Sequence, residues 1–298
     1  MNIIDYITKP WFAVVAFDKH IAHIVPDKLY IECQYRCINN KKLNLKNPKT
    51  FCDKQNWLKL YDKHSEWTDY VDKIKVKDII RDKLGEDYCF PTLGIYDNYE
   101  DIDFNKLPDK FVIKCNHDSG SVKIITDKSK INHKEFSEFY KNKLKKNFFW
   151  KSREYPYKNV ITKIFIEEYM TPDDQSDIED YKFFCFNGKP EFLFVGTNRT
   201  SDLRFDFYDM DFNHMDIQNL HPNSDKIIKK PNNFEELKSV ATTLAKGIKF
   251  VRIDLFSIKG KVYFGEYTFF HGGGIWPLNP PEYEIKYGDM IHMPIDEK

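Results

Sequence analysis

The feature that most constrains the fold is a pair of apolar hairpins in the second half of the chain. Each hairpin joins two short apolar segments through a two-residue turn, Asn187-Gly188 in one and Lys259-Gly260 in the other. Glycine and asparagine favour the left-handed backbone that tight hairpin turns require. The apolar segments are residues 181–186 with 190–195, and residues 251–258 with 261–269. Such hairpins build antiparallel sheets, so the sequence predicts an α+β fold rather than a repeated βαβ pattern.

Further segments extend this prediction toward the N terminus. Gly85 closes a first amphipathic helix, and Asn232 with Glu235 has the spacing of a capping box at the start of the last one. The elements predicted here are a helix over 71–84, a hairpin of 111–114 with 122–126, a helix over 133–145, a strand over 160–170 and a helix over 232–246. The organisation expected is a helical N-terminal region over residues 1–70, followed by one domain over residues 71–298.

Charge and cysteine content exclude several classes of protein. The chain has 46 Lys and Arg residues against 46 Asp and Glu residues, so it lacks the basic excess of an electrostatic nucleic-acid binder. Its six cysteines contain no CxxC pair, and a chain of 298 residues does not need disulfides to be stable. A reduced, cytoplasmic protein that does not bind nucleic acid is therefore expected.

One apolar run near the N terminus bears on membrane contact. Residues 11–17 are apolar, but the run is far shorter than the ~20 residues of a spanning helix. We expect no transmembrane segment, and we interpret the run as a buried helix. Peripheral docking to a membrane surface is the alternative interpretation.

Two features suggest a nucleotide site. Lys114 ends a strand just before the small polar residues 117–121, an arrangement that can grip a polyphosphate through an ammonium group and backbone amides. An exposed lysine on a surface hairpin is the alternative. Residues 167–170, Glu-Glu-Tyr-Met, end an apolar strand and could form a hinge against a flat base. A charged strand end entering solvent explains them equally well.

A third feature suggests a metal. Arg252 and Asp254 share one face of a strand, and Glu266 and Thr268 share one face of its hairpin partner. An ion pair with Arg252 would leave one of the two acids unpaired, which is costly on an apolar sheet. We therefore predict Mg²⁺, held jointly with nucleotide phosphates.

Taken in order, these features resemble the ATP-grasp fold, and most closely the TupA-like ATP-grasp family, named for teichuronopeptide biosynthesis. The resemblance covers nearly the whole chain. It is carried by residues 42–51 (KLNLKNPKTF), 72–73 (DK), 107–117 (LPDKFVIKCNH), 167–169 (EEY), 180–183 (DYKF), 252–254 (RID) and 263–266 (YFGE). The fold it implies is two α+β subdomains that clasp ATP, a hairpin lid over about 108–165 and a metal and phosphate subdomain over about 166–298.

The resemblance also implies site residues. Lys73 and Lys114 match the two lysines that reach nucleotide phosphates, and Asp180 and Lys182 would address ribose and phosphate. The residues expected to bind ATP are Lys73, Lys114, His117, Ser119, Gly120, Ser121, Glu167, Glu168, Tyr169, Met170, Asp180 and Lys182. Those expected in catalysis are Arg252, Lys114 and Lys182, and those expected to bind metal are Asp254, Glu266 and Thr268. Thr268 stands where many members of the fold have asparagine.

The activity implied is ATP-dependent ligation of a carboxylate to an amine through an acyl phosphate. The carboxylate would belong to a uronic acid or acidic peptide of a bacterial surface polysaccharide, and the amine to an amino acid. An acceptor pocket is expected from residues 1–70 and 196–231, the latter with Arg199, Arg204, His214 and His221. Residues 271–274, His-Gly-Gly-Gly, are interpreted as a glycine turn close to a ligand.

Two other functions remain open at this point. A glycosyltransferase would use Asp209-Met210-Asp211 as its metal motif, although a turn between strands accounts for the same three residues. A non-catalytic nucleotide-binding protein is the other alternative.

Overall fold

The computed structural model describes residues 9–21, 23–171, 178–197, 202–224 and 228–293. The helices are α1 (Pro10–His20), α2 (Asp27–Asn39), α3 (Phe51–Tyr61), α4 (Trp67–Val71), α5 (Val76–Leu84), α6 (His133–Leu144), α7 (Phe149–Ser152), α8 (Phe234–Ala245) and α9 (Glu282–Asp289). The strands are β1 (Thr92–Tyr96), β2 (Phe111–Cys115), β3 (Lys123–Ile125), β4 (Ile164–Glu168), β5 (Asp180–Phe186), β6 (Lys189–Thr197), β7 (Arg204–Asp209), β8 (His214–Met215), β9 (Phe250–Ile258) and β10 (Lys261–Thr268).

The larger sheet contains both of the hairpins that the sequence predicts. Its order is β10-β9-β5-β6-β7-β8, and every neighbouring pair is antiparallel. The turn residues Asn187 and Gly188 have φ of 49° and 82°, and Lys259 and Gly260 have φ of 53° and 75°. Positive φ at both central residues gives the twist that matches two antiparallel strands. The α+β prediction is confirmed.

The smaller sheet has the order β1-β4-β2-β3 and is also antiparallel. The predicted hairpin forms its β2 and β3. Its β4 is five residues long, shorter than the strand predicted over 160–170. The sheet begins at Thr92 and so extends beyond the range of 108–165 expected for a lid, and the division into subdomains stays a prediction.

Two helix predictions need correction. The single helix predicted over 71–84 is broken: α4 ends at Val71, and α5 begins at Val76. Asp72 causes the break, because its Oδ1 accepts from the backbone N–H of Ile74 at 2.9 Å and so turns the chain. The capping box predicted at Asn232 is absent, since Asn233 precedes α8 without a side-chain cap.

Three buried clusters support these elements. The largest lies under the large sheet, where α8 packs on β5, β6 and β9. A second lies under the small sheet, where Tyr140 of α6 donates hydrogen bonds to the carbonyls of Ile113 and Ser121. A third joins α2 and α3 to the C-terminal region. All six cysteines are free thiols.

The N-terminal helix α1 is not the buried helix that the sequence suggested. Asp18 is its one buried residue, while its apolar side chains are half-buried against α2 or exposed. Within the described residues, no helix has both the length and the apolar character that crossing a membrane requires.

Candidate active site

On the small sheet, a buried glutamate lies between two lysines. Glu167, on β4, contacts Lys77 of α5 at 2.6 Å and Lys114 of β2 at 2.5 Å. Its carboxylate is almost fully buried, and burial alone would raise its pKa, but the two ammonium groups outweigh burial and hold the pKa below its ordinary value. We call these three residues the Glu167 cluster. Its charge sum is positive, so it favours an anion.

The two lysines of the Glu167 cluster are not equivalent. Lys77 also donates to the Phe90 carbonyl and to Thr92 Oγ1, so its three ammonium hydrogens have partners. Burial lowers its pKa. Lys114 has Glu167 as its one hydrogen-bond partner among the described residues, and 18% of its side chain is exposed. Lys114 is therefore the lysine that can meet a phosphate, while Lys77 holds Glu167 in place.

The loop after β2 is built by its own inward-facing side chains. Ser121 Oγ accepts from the Cys115 amide at 2.8 Å and donates to Asp118, while Lys143 of α6 contacts Asp118 at 3.2 Å. His117 is buried, and burial lowers its pKa. Ser119 and Gly120 are exposed at the tip of the loop. Of the predicted loop residues, Ser119 and Gly120 thus offer their backbone to a ligand, whereas His117 and Ser121 shape the loop.

The predicted adenine hinge lies where β4 ends. Glu168 is exposed, and its N–H donates to the Pro91 carbonyl at 3.0 Å. Tyr169 and Met170 follow the strand and are half-buried. Of the residues predicted for the hinge, Glu167 thus has its side chain on the two lysines, while the other three follow it at the end of β4.

On the large sheet, a buried aspartate also lies between two cations. Asp254 of β9 accepts from Arg252 at 2.6 Å and 2.7 Å, and Lys182 of β5 donates to its Oδ2. Lys182 also contacts Asp180 at 2.6 Å. Burial opposes ionisation of Asp254, but Arg252 and Lys182 hold its pKa far below the ordinary value, and Asp254 in turn raises the pKa of Arg252. The strand register explains the contact, since Lys182 pairs with Asp254.

Glu266 faces this group because of a bulge in β10. Glu266 is the register partner of Asp254, and Gly265 is the extra residue. A Cβ on Gly265 would lie 2.9 Å from the Asp254 carbonyl oxygen, so only glycine fits. Arg252 Nη2 and Thr268 Oγ1 both donate to Glu266 Oε1, at 3.2 Å and 3.3 Å. Asp180, Lys182, Arg252, Asp254 and Glu266 form what we call the Asp254 cluster.

Lys73 joins the two sheets. Its Nζ donates to the Asp118 carbonyl of the loop at 2.9 Å and lies 3.7 Å from Glu266 Oε2. Its backbone N–H donates to the Asn116 carbonyl at 3.1 Å. Lys73 lies in the turn before α5 rather than at the head of the helix that the sequence predicted. It still reaches the place expected of it, between the loop and the acids.

The residues predicted to bind metal carry the oxygen donors that a hard cation prefers, although both Asp254 oxygens already accept from Arg252 or Lys182. Asp254 and Glu266 supply carboxylate oxygens, with the Thr268 hydroxyl beside them. Glu266 is the accessible member, since 29% of its side chain is exposed against 1% for Asp254. In the described part of the chain, no three His, Cys, Asp or Glu side chains cluster as a metal site. Phosphate oxygens would therefore have to complete the shell, as is usual for Mg²⁺.

Sequence reasoning missed the residues that fix Arg252. Arg252 Nη1 donates to His271 Nδ1 at 2.8 Å, and arginine has no acceptor, so Nε2 of His271 must carry the proton. That Nε2 donates to Asn219 Oδ1 at 2.8 Å, and Asn219 Nδ2 donates to the Trp276 and Pro277 carbonyls. Burial and the Arg252 charge hold the pKa of His271 well below its ordinary value. The neutral ring is thus part of a fully assigned chain of hydrogen bonds.

The signal for His271 was visible but was interpreted differently. The glycines after it have contacts within the fold, and their closeness to a ligand stays a prediction. Gly273 and Gly274 have φ of 68° and 72°, and their carbonyls accept from Lys59 and Asn56 of α3. A Cβ on Gly274 would lie 3.0 Å from the Asn56 side chain. Nothing in the sequence marks Asn219.

The possible glycosyltransferase motif forms a turn. Asp209 ends β7 and accepts from the backbone N–H groups of Asp211 and Asn213 at 2.9 Å and 2.8 Å, and from Asn213 Nδ2 at 2.9 Å. Phe212 completes the turn with φ of 68°. The carboxylate of Asp209 is therefore used in local structure, which removes the specific support for a glycosyltransferase.

Three of the basic residues named for an acceptor pocket lie toward the edge of the large sheet that is opposite β10. Arg204 pairs with Asp202, and His214 lies 3.7 Å from buried Asp206. The His221 ring packs on Phe205 at 4.7 Å. These residues lie on or beside β7 and β8, and β5 and β6 separate them from Arg252. Arg199 lies outside the described residues.

With two antiparallel sheets and Lys73 bridging the loop after β2 to Glu266 of β10, the molecule has the form of a nucleotide-clasping α+β protein. The family model described as TupA-like ATPgrasp matches residues 53–292. The chain therefore belongs to the TupA-like ATP-grasp family, and the ATP-grasp fold expected from the sequence is confirmed. No curated protein matches the chain.

Several solved structures are similar at low identity. The D-alanine–D-alanine ligase of Bacillus anthracis, in complex with ATP, is 19% identical with a TM-score of 0.39 over 67% of this chain and 53% of that one. The L-amino acid ligase of Bacillus licheniformis is 12% identical with a TM-score of 0.45, over 75% and 50%. The D-alanine–D-alanine ligase of Helicobacter pylori is 14% identical with a TM-score of 0.42, over 81% and 68%. The chain thus spans about half the length of the first two.

Proposed function

We propose that the protein is an ATP-dependent carboxylate–amine ligase that acts through an acyl phosphate. The observation that carries this proposal is that Asp254 and Glu266 face each other across β9 and β10, while Lys73 links Glu266 to the loop after β2. Family membership supports it. Mg²⁺ bound by Asp254 and Glu266 would neutralise phosphate charge.

The residues of the chain have distinct tasks in this reaction. Lys114 and the backbone of Ser119 and Gly120 bind the phosphates of ATP. A substrate carboxylate oxygen attacks the γ-phosphorus, and the bond to the bridging oxygen of ADP breaks. Arg252 offsets the charge on the transferred group. Its hydrogen bonds to Asp254, Glu266 and His271 use four of its five N–H donors, which leaves one Nη1 hydrogen for an oxygen of the substrate.

The second half of the reaction forms the amide. An amine attacks the acyl carbon, phosphate leaves, and the proton of the amine passes to the departing phosphate or to solvent. We propose that the carboxylate belongs to a uronic acid or acidic peptide of a bacterial surface polysaccharide, and the amine to an amino acid. The family name supports this substrate class. A cytoplasmic location would supply ATP and keep the six thiols reduced.

A hydroxylamine trap tests the ligase proposal. Hydroxylamine replaces the amine and converts an acyl phosphate to a hydroxamate, so a panel of uronic acids and acidic peptides with ATP and Mg²⁺ should yield hydroxamate and ADP together. Neither product across a broad panel would contradict the proposal. ADP release without hydroxamate would indicate an ATPase.

A thermal shift assay tests the nucleotide separately. A ligand that binds the native state alone raises Tm. ATP with Mg²⁺ should raise Tm, and UDP-sugars should not. Stabilisation by UDP-sugars alone would support the glycosyltransferase alternative. Stabilisation by ATP without turnover would support a non-catalytic nucleotide-binding protein.

A further inference from the structure

The corner between α1 and α2 presents large apolar side chains to solvent. Ile21 and Ile24 are 74% and 71% exposed, and Phe17 and Leu29 are 40% and 45% exposed. We call these four residues the apolar corner. No other stretch of thirteen described residues has four large apolar side chains this exposed. Single exposed apolar residues need no explanation, but a group of them marks an interaction site.

A buried ion pair holds the apolar corner in place. Asp18 of α1 accepts from the Val25 N–H at 2.9 Å and from Arg153 Nη2 at 2.5 Å, and the side chains of Asp18 and Arg153 are fully buried. Arg153 also pairs with Asp27 at 2.9 Å and lies over the Tyr30 ring at 4.1 Å. Removing one partner of such a pair is strongly destabilising. The exposed isoleucines are therefore presented by a rigid frame.

The charges around the apolar corner favour an anionic surface. Lys19, His20 and Lys28 are exposed beside it. Within described residues 9–29, the two acids are Asp18 and Asp27, and both are paired with Arg153. The corner thus offers apolar tips with cations beside them. Apolar residues that enter the acyl boundary, flanked by cations that meet anionic headgroups, are the pattern of interfacial membrane binding.

We propose that the apolar corner docks the protein onto the surface of an anionic lipid bilayer. Ile21 and Ile24 enter the interface, Phe17 and Leu29 rest at its edge, and Lys19 and Lys28 meet the headgroups. With 11 residues, α1 cannot span a bilayer, so the contact is peripheral. The proposal does not depend on the ligase reaction, because none of these residues contacts the Glu167 or Asp254 cluster.

Vesicle co-sedimentation with the full chain tests the proposal. Vesicles of phosphatidylcholine are compared with vesicles that also contain phosphatidylglycerol. We expect binding to the anionic vesicles that weakens as ionic strength rises, and little binding to the neutral ones. The double variant I21E/I24E should lower the partition coefficient by about tenfold or more, because two apolar side chains no longer enter the interface. The matched control is Ile161→Glu, since Ile161 is 72% exposed elsewhere in the molecule.

Folding is checked by circular dichroism melts of each variant, which should match the unchanged protein because the replaced side chains are exposed. Loss of binding in I21E/I24E with retention in Ile161→Glu supports the proposal. No binding to anionic vesicles at low ionic strength overturns it, and so does equal binding by I21E/I24E. Sedimentation velocity without lipid gives a further outcome: a dimer that I21E/I24E abolishes would show that a second copy occupies the corner, and this too overturns the proposal.

Discussion

Each of the two sheets holds a buried carboxylate between two cations, but the charge balance around it differs. On the small sheet, Glu167 lies between Lys77 and Lys114, so two cations outweigh one acid. On the large sheet, Asp254 lies between Arg252 and Lys182, with Asp180 and Glu266 beside them. Lys73 lies 3.7 Å from Glu266, so three acids meet three cations. A buried carboxylate between cations fixes the geometry in both places. The small sheet thus has one cation in excess, whereas the charges of the large-sheet group balance.

The largest effect is expected from breaking the centre of the large-sheet group. Replacing Asp254 with Asn leaves two largely buried cations without their central acid, so we expect the free energy of unfolding to fall by about 3–5 kcal/mol. ADP release should also be lost. Urea unfolding measures the first effect and a coupled ADP assay the second. As a control, Asp69→Asn breaks an exposed pair with Lys75 and should cost less than about 1 kcal/mol. If the two variants lost equal free energy of unfolding, the buried pair would contribute no more to stability than the exposed pair, which contradicts the prediction.

Glu266 lies at the accessible edge of the same group, so replacing it should affect the binding of Mg²⁺ and ATP without lowering stability. Replacing Glu266 with Gln should lower the rate of ADP release by about 100-fold or more while leaving the fold intact, because the change removes the carboxylate charge that would hold Mg²⁺ against the phosphates. The rate is measured at saturating ATP and Mg²⁺, with Glu282→Gln as control because Glu282 is an exposed residue of α9. Turnover within a few-fold of the unchanged protein would contradict the metal role.

The two lysines of the Glu167 cluster should differ in the quantity that they change. Replacing Lys114 with Met should weaken ATP binding by about 10- to 100-fold, since it removes one charged hydrogen bond to phosphate. Replacing Lys77 with Met should chiefly lower stability, because Lys77 contacts Glu167, Phe90 and Thr92. Isothermal titration calorimetry and urea unfolding of both variants measure the two effects. If both variants lose ATP affinity equally, the assignment of separate tasks is wrong.

The smallest effect is a pH dependence at His271. In the unfolded chain His271 gains a proton as pH falls below about 6.5, whereas burial and Arg252 keep it neutral in the folded protein. Its contribution to stability is therefore complete above pH 6.5 and declines below, by at most about 1.4 kcal/mol per pH unit. Glutamine can accept from Arg252 and donate to Asn219 without titrating. The difference in free energy of unfolding between the unchanged protein and His271→Gln should thus shrink from pH 7.5 to pH 5. Urea unfolding that gives the same difference at both pH values would contradict this.

Much of the fold followed from local signals in the sequence. The turns at Asn187-Gly188 and Lys259-Gly260 fixed two hairpins. Alternation paired Arg252 with Asp254 on one face of β9 and Glu266 with Thr268 on one face of β10, while the bulge that brings the two pairs together was not predicted. These predictions succeeded because strand periodicity and turn chemistry act over a few residues. The prediction of one continuous helix across Asp72 failed for a related reason. In the sequence, an acid whose side chain caps a turn cannot be distinguished from any other acid in a helical pattern.

The missing parts of the site depend on contacts between distant segments. His271 meets Asn219 across 52 residues, and Lys77 meets Glu167 across 90 positions of the chain. Neither contact leaves a local pattern. The exposure of α1 was missed because an apolar helix has the same composition at a surface as in a core, and only its neighbours decide between them.

The bulge at Gly265 changes the parity of β10. Before it, odd-numbered residues such as Tyr263 pair with even-numbered residues of β9 such as Phe256. After it, the even-numbered Glu266 and Thr268 pair with Asp254 and Arg252. A regular strand of the same sequence, with Gly265 paired like its neighbours, would put Phe264 and Glu266 on the same face. Loss of the one residue Gly265 would still leave a glutamate opposite Asp254, whereas an insertion or deletion anywhere between Glu266 and the end of β10 would move Thr268 away from Arg252.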